Sequence, residues 1–248
     1  MSLSFCEPSL TADLPMVDSY WAGFLGCEVD LLRTSSVNQL MAMPNQAGLW
    51  AISRCGGWVV ATPALWGERL YKQIRTCFQP NLLPDSANLD RLLYQTGDQQ
   101  RYGPAVILLH THPIAHREVS AKLRPLTLDD HQQVATFGAA MPLPWSLTQP
   151  EIWVKVLGLF VADQLVAACG VRVWGDCLAE IYVDTLPTHR RCGYGKAVTR
   201  AALQWIYTET PYYPESVVEL SNQPSLALMK SLGFESYGYM VMTLPVGQ

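Results

Sequence analysis

The sequence predicts a protein of the α+β or α/β class, with a mixed, mostly antiparallel sheet flanked by helices. Three observations predict it. Residues 158–185 read as three strands in a row, joined by tight turns at Asp163-Gln164 and Gly175-Asp176, and turns that short force antiparallel neighbours. Apolar residues recur at helical spacing before and after that meander. Hydrophobic residues make up 49% of the 248 and charged residues 15%, which supplies a sizeable core and argues against a disordered chain.

The elements follow in order. Over residues 13–27, Leu14, Val17, Tyr20, Trp21 and Phe24 fall at helical spacing, and Gly26 marks the helix end. Residues 49–53 and 58–62 read as strands around a Gly56-Gly57 hairpin signal. After Pro63, residues 64–78 are helical, with Leu65, Leu70, Ile74 and Phe78 among the apolar positions, and residues 88–94 form a second short helix. Residues 105–109 are a continuous apolar run of strand length, expected to be buried. Residues 123–126 are a short strand. Thr127 then caps a helix whose first turn carries Asp129 and Asp130, where acids meet the positive end of the helix dipole. That helix runs through Val134 and Phe137 and is closed by Met141-Pro142-Leu143-Pro144.

The meander strands are residues 158–162, 165–174 and 177–185. A loop over 186–194 leads into a helix from about Gly195 to Tyr207. Residues 217–220 are a strand, and Ser221-Asn222-Gln223-Pro224 starts a helix through Lys230, with Pro224 at the first helical position and Gly233 as a left-handed cap. Residues 237–244 are the last strand. The pattern becomes more legible near residue 120, which suggests an N-terminal α+β domain over 1–120 and a second domain over 121–248.

Bulk properties narrow the function. The net charge is −4, from 17 basic and 21 acidic residues, which argues against a long nucleic-acid footprint. The seven cysteines are irregularly spaced and form no C-x-x-C pair, as expected of reduced thiols in a reducing compartment. His110, His112 and His116 cluster beside Pro113, where a strand end and turn is expected, and no metal is. The opening MSLSFCEPSL lacks the basic start and apolar run of a signal peptide, and no stretch reaches the ~18 apolar residues of a membrane helix. A cytoplasmic protein without membrane or nucleic-acid partners is expected.

The informative feature is a strand, then Arg190-x-x-Gly193-x-Gly195, then a helix. A helix N-terminus offers unpaired N–H groups and the positive end of a dipole. Glycines let the backbone approach an anion, and arginines add charge and bidentate geometry. Together they suit a pyrophosphate. The Walker pattern fails, because Gly195-Lys196 is followed by Ala197 and lacks its upstream glycine. The dinucleotide fingerprint also fails, because Val198 stands at its third glycine and the preceding strands form a meander rather than a parallel βαβ unit.

The surrounding residues resemble the GNAT superfamily of N-acetyltransferases. Its loop pattern, [RQ]-x-x-G-x-[GA] after a strand, often with a proline three residues before the arginine, is met by Pro187-Thr188-His189-Arg190-Arg191-Cys192-Gly193-Tyr194-Gly195. Asn222, Ser225 and Leu228-Met229-Lys230-Ser231-Leu232-Gly233-Phe234 follow at the family's distance, and residues 123–130 look like its first strand and helix. The likeness spans about 121–248 and implies the acyl-CoA N-acyltransferase fold, with acetyl-CoA as cosubstrate and an amine of a small molecule or peptide as acceptor. It implies that the amides of Arg191, Cys192, Gly193, Tyr194, Gly195 and Lys196, with Arg190, cradle the CoA pyrophosphate. Val183, Asp184 and Thr185, at a splayed strand end, would pair with the pantetheine as an added strand does. Asn222 and Ser225 would face it from the next strand–helix junction, Asn222 serving equally as a plain helix cap.

Transfer from a thioester to an amine needs a neutral amine, a donor to the oxyanion and a proton for the thiolate. The resemblance implies a backbone N–H near Val183 as donor and a carboxylate on the same strand as base. Glu180 is that candidate, one residue off the common position, with a structural ion pair as its competing role. The family's tyrosine acid is replaced by Met229, which donates no proton; Tyr237 and Tyr239 lie nearby in sequence. Residues 1–120 fit either a degenerate GNAT-like copy or a lid over an acceptor pocket. Trp50, Trp58, Trp66, Trp145, Trp153 and Trp174 are candidates to line that pocket or, more simply, core. The alternative to the enzyme is a non-catalytic CoA-binding or interaction protein of the same fold.

Overall fold

A computed structural model describes residues 14–35, 39–42, 48–96, 99–115, 122–141 and 152–245. In chain order the elements are α1 (Pro15–Leu25), α2 (Val29–Leu32), β1 (Gln39–Ala42), β2 (Trp50–Ser53), β3 (Val59–Thr62), α3 (Ala64–Cys77), α4 (Ser86–Thr96), β4 (Gln99–Leu109), β5 (Leu123–Pro125), α5 (His131–Gly138), β6 (Lys155–Val161), β7 (Gln164–Trp174), β8 (Leu178–Thr185), α6 (Tyr194–Glu209), β9 (Tyr213–Glu219), α7 (Gln223–Leu232) and β10 (Glu235–Pro245). Among these residues no helix is long and apolar enough to cross a membrane. Strand pairings are mostly antiparallel, with β1–β3 and β8–β9 parallel, as the meander predicted.

The chain divides into two compact units, neither contiguous in sequence. The first comprises residues 1–108, 217–226 and 235–248. Its strands run β1-β3-β2-β10-β4. Pro15 begins α1, and Gly26 ends it at φ 70°, as the sequence indicated for Gly26. The helix buries Val17, Trp21, Ala22 and Leu25, and Phe24 meets Trp50 edge-on at 4.8 Å. Asp18 on the same buried face is held at both oxygens. Arg33 donates to Oδ2, and the Tyr237 hydroxyl donates to Oδ1 at 2.5 Å, with Arg54 Nε at 3.6 Å from Oδ1. A buried charge persists only when paired in this way. Tyr239 is buried in β10, opposite Ser53. Trp58 is core, its Nε1 donating to the Leu82 carbonyl.

Two elements here escape the sequence reading: α2, a single turn, and β1, whose QLMA has no alternation to announce it and which forms by pairing parallel to β3. The closing segment 142–144 and Trp145 lie outside the described residues, as does His116.

The second unit comprises residues 109–216 and 227–234, with strands running β9-β8-β7-β6-β5. The first turn falls one residue earlier than the sequence suggested. Ala162 and Asp163, at φ 47° and 62°, link β6 to β7, and both take the left-handed conformation that a two-residue hairpin demands. The second turn lies at Gly175-Asp176 as expected, at φ 54° and 50°. A bulge between Leu159 and Phe160 shifts the register of β6 against β7. Residues 128–130 form a 3₁₀ turn ahead of α5, and Asp130 closes it by accepting from the Thr127 backbone N–H at 2.9 Å and from the Arg124 guanidinium at 2.7 and 2.8 Å. α6 lays Val198, Ala202, Leu203 and Ile206 against the meander. His110, at the end of β4, is buried. Its Nδ1 lies 2.8 Å from the Tyr207 hydroxyl and its Nε2 3.1 Å from the Leu232 carbonyl, so it is a packed histidine at a strand end, as the sequence anticipated.

Candidate functional site

β8 pairs with β9 in parallel register over only three positions, Leu178 to Glu180 against Tyr213 to Glu215. Beyond them Ser216 Oγ lies 3.5 Å from the Ile181 carbonyl. β8 continues through Val183, Asp184 and Thr185 past its register with β9, and a strand edge of this kind can accept an extended ligand. On its other edge Val183 pairs with Cys169, Asp184 with Ala168 and Thr185 with Ala167.

The chain then turns through a 3₁₀ segment at Pro187–His189 and enters the loop. Arg190 is extended, and its Nε donates back to the Thr185 carbonyl at 3.3 Å. Arg191 sits at φ 63° and Gly193 at φ 81°, so two of three consecutive turn positions are left-handed. The two glycines serve different ends. Gly193 is required by its φ, and a Cβ there would meet nothing. Gly195 has no such constraint, but a Cβ would lie 3.0 Å from Thr185 Oγ1 and 3.7 Å from Leu228 Cδ2, so its need is close approach of α6 to β8.

The loop delivers the N-terminus of α6, 16 residues long, with no side-chain cap. The first helical bond is from Ala197 to the Gly193 carbonyl. The amides of Tyr194, Gly195 and Lys196 therefore have no partner within the helix, and the positive end of its dipole is uncapped. Arg190, Arg191, Cys192 and Gly193 are exposed, and Tyr194, Gly195 and Lys196 half-buried. These are the elements of an anion cradle, and they fit a diphosphate. Lys196 contributes through its backbone, since its Nζ donates to the Ser231 carbonyl at 3.0 Å, near the end of α7.

Asn222 and Ser225 belong to the first unit. Asn222 Oδ1 accepts from the Ser225 backbone N–H at 3.3 Å, the cap that the sequence offered as its plainer role. Met229 is 1% exposed in α7, a packed thioether. Tyr237, the nearest tyrosine in sequence, spends its hydroxyl on Asp18.

Glu180 is also committed. It is buried, and its Oε2 accepts from Arg172 Nε at 2.7 Å and Trp174 Nε1 at 2.6 Å. Arg172, directly opposite on β7, stacks over the Trp174 ring at 4.4 Å and the Tyr182 ring at 4.8 Å, and its Nη2 donates to the Tyr182 hydroxyl at 2.7 Å. Trp153 meets Tyr182 edge-on at 5.5 Å. Reading the sequence did not find this group. Its one signal was period-2 spacing of Arg172 and Trp174 against Glu180 and Tyr182, which becomes meaningful only once the register is known. Among the described residues no three His, Cys, Asp or Glu side chains gather to hold a metal.

Residues 156–242 match the family described as FR47-like protein. The chain is similar to a mycothiol acetyltransferase from Thermomonospora curvata, with 32% identity over 98 residues, 38% of this chain and 33% of that protein. The match thus spans about a third of the curated relative's length. Among solved structures, a GNAT-family protein from Novosphingobium aromaticivorans superposes with a TM-score of 0.52 at 20% identity, covering 61% of this chain and 69% of the other. A Drosophila protein gives 0.50 at 19% identity, covering 65% and 58%. At these identities the likeness is one of fold.

Proposed function

We propose that the C-terminal part of this chain acts as a GNAT-type acetyltransferase and transfers the acetyl group of acetyl-CoA to an amine of a small molecule or peptide; the FR47-like match over residues 156–242 and the likeness to a mycothiol acetyltransferase support this reading. The observation that carries the proposal is the uncapped N-terminus of α6, reached through Gly193 and Gly195, beside the stretch of β8 that runs on past its register with β9. The amides at Arg191 to Lys196 bind the diphosphate, with Arg190 and Arg191 adding positive charge. The edge of β8 at Val183, Asp184 and Thr185, beyond its register with β9, takes the extended pantetheine as a strand would be taken.

In the chemical step a neutral amine attacks the thioester carbonyl. The oxyanion is stabilised by a β8 backbone N–H near Val183, the C–S bond breaks, the amine gives up a proton and the thiolate takes one. Glu180 is a carboxylate of that strand, and two roles are proposed for it: base, or anchor of Arg172 and Trp174. Their kinetics differ. Met229 supplies no acid, so thiolate protonation falls to another donor.

The test is thiol release from acetyl-CoA across a panel of amines, with CoA affinity measured alongside. We expect turnover on some amines. In the double variant Gly193→Val, Gly195→Val we expect CoA affinity to fall more than about 100-fold with a cooperative melt retained, because φ 81° and the 3.0 Å approach exclude a branched side chain. Unchanged affinity there would show that the loop is misread. Tight CoA binding without thiol release on any amine would overturn the transfer reaction.

A further inference from the structure

We infer that Arg172 and Trp174 form a recognition surface for the far end of the acceptor, and that the acceptor carries an oxyanion there. This rests on the proposed transfer and deepens it by naming an acceptor class. Side chains alternate along a strand, so Glu180, Tyr182 and Asp184 share one face of β8, and Arg172, opposite Glu180, shares it too. Val183 and Thr185 point to the other face, where Gly195 of α6 lies. The Arg172 group is therefore on the face away from the α6 loop, beside Val183, where a second substrate can approach.

The group is prepared rather than fortuitous. One buried carboxylate oxygen holds two side chains of β7, through Arg172 Nε at 2.7 Å and Trp174 Nε1 at 2.6 Å. Tyr182 adds a third contact, accepting from Nη2 at 2.7 Å. The guanidinium is clamped between two rings, so it loses little freedom when a ligand arrives. It is nevertheless accessible: the Arg172 side chain is 29% exposed and Trp174 38%. Among the described residues Nη1 has no hydrogen-bond partner. With Nε committed to Glu180 and Nη2 to Tyr182, Nη1 is the group left to donate to a carboxylate or a phosphate oxygen. The exposed indole beside it provides a planar apolar contact for the body of the same ligand.

The acceptor class is accordingly an amine whose far end carries a carboxylate or a phosphate, the anions a guanidinium pairs with.

The experiment measures binding in the presence of saturating CoA. The probes are di- and tripeptides as free acids, the same peptides as carboxamides, and aminoalkyl phosphates of matched length. The wild-type chain is expected to bind at least one oxyanion series 10-fold or more tighter than the carboxamides. The Arg172→Gln variant should bring the preference to within twofold while CoA affinity is unchanged; whether carboxylate or phosphate wins identifies the group. Trp174→Phe, which removes the bond to Glu180, should weaken both charged and neutral probes. A wild type that binds acid and amide alike, or neither, overturns the inference, as does a preference that survives Arg172→Gln. Thiol release is measured separately, so acid-selective binding without turnover counts against the transfer reaction and not against this surface.

Discussion

Glu180 shows how neighbours assign a role to a residue. In the sequence it is a carboxylate on the strand that approaches the loop, and so a candidate base. In the fold its Oε2 already accepts two short hydrogen bonds, from Arg172 and Trp174, and its side chain is 7% exposed. Loss of a general base lowers kcat by roughly 10²–10⁴ and removes the acidic limb of the pH–rate profile. Loss of an anchor raises the acceptor KM instead, by about 10-fold, with kcat changed far less. We expect the second pattern for Glu180→Gln, read from kcat and acceptor KM across pH. A kcat loss of two decades with the acidic limb gone would make Glu180 the base. The glycines were legible because their chemistry is local. Arg172, Trp174 and Tyr182 were not, because their meaning lies in who stands across the strand.

At the scale of elements, the start of α6 and the turn before α5 each carry a prediction. Cys192 and Cys55 are exposed thiols, whereas burial pushes Cys77 up to about 11 and raises Cys169 further. Alkylation should therefore be fast at Cys55 and Cys192 and slow at the other two. CoA should slow Cys192, which lies within the anion loop, and leave Cys55 alone; an unchanged Cys192 rate would place CoA elsewhere.

The second concerns Asp130. The Arg124 guanidinium, aided by Thr127, holds its carboxyl down at about 2. A depressed folded value stabilises above the unfolded value, near 4, and that stability is lost as pH falls through about 2. Arg124 is 47% exposed, which weakens the pair, so we expect wild type to exceed Asp130→Asn by roughly 1–2 kcal/mol at pH 7. Denaturant midpoints should converge between pH 4 and about 2. A gap independent of pH would mean that the Arg124 pair is not its source. The capping acid was readable in the sequence as a first-turn carboxylate; its arginine partner was not.

At the scale of the molecule, the pattern of the sequence suggested a division at residue 120, while β10 is compact with the N-terminal elements and pairs antiparallel with β2 from Tyr239 to Met242. A fragment of residues 121–248 would carry β10 without β2 and expose an apolar strand edge. We expect it to aggregate, with no cooperative melt and no CoA binding by calorimetry. A fragment that melts cooperatively and binds CoA as the whole chain does would establish the division at 120.

Read as letters, the chain already announced its meander, most of its helices and the glycine loop that opens α6, because turn residues, apolar periodicity and glycines at a helix start act within a few residues of one another. Folding alone settled three things: that β1 exists, that Tyr237 belongs to Asp18, and that Glu180 is bound to Arg172 and Trp174. Each of these depends on register and pairing between strands or on contacts between residues distant in sequence, where burial decides which polar groups must find one another and no local pattern records the choice.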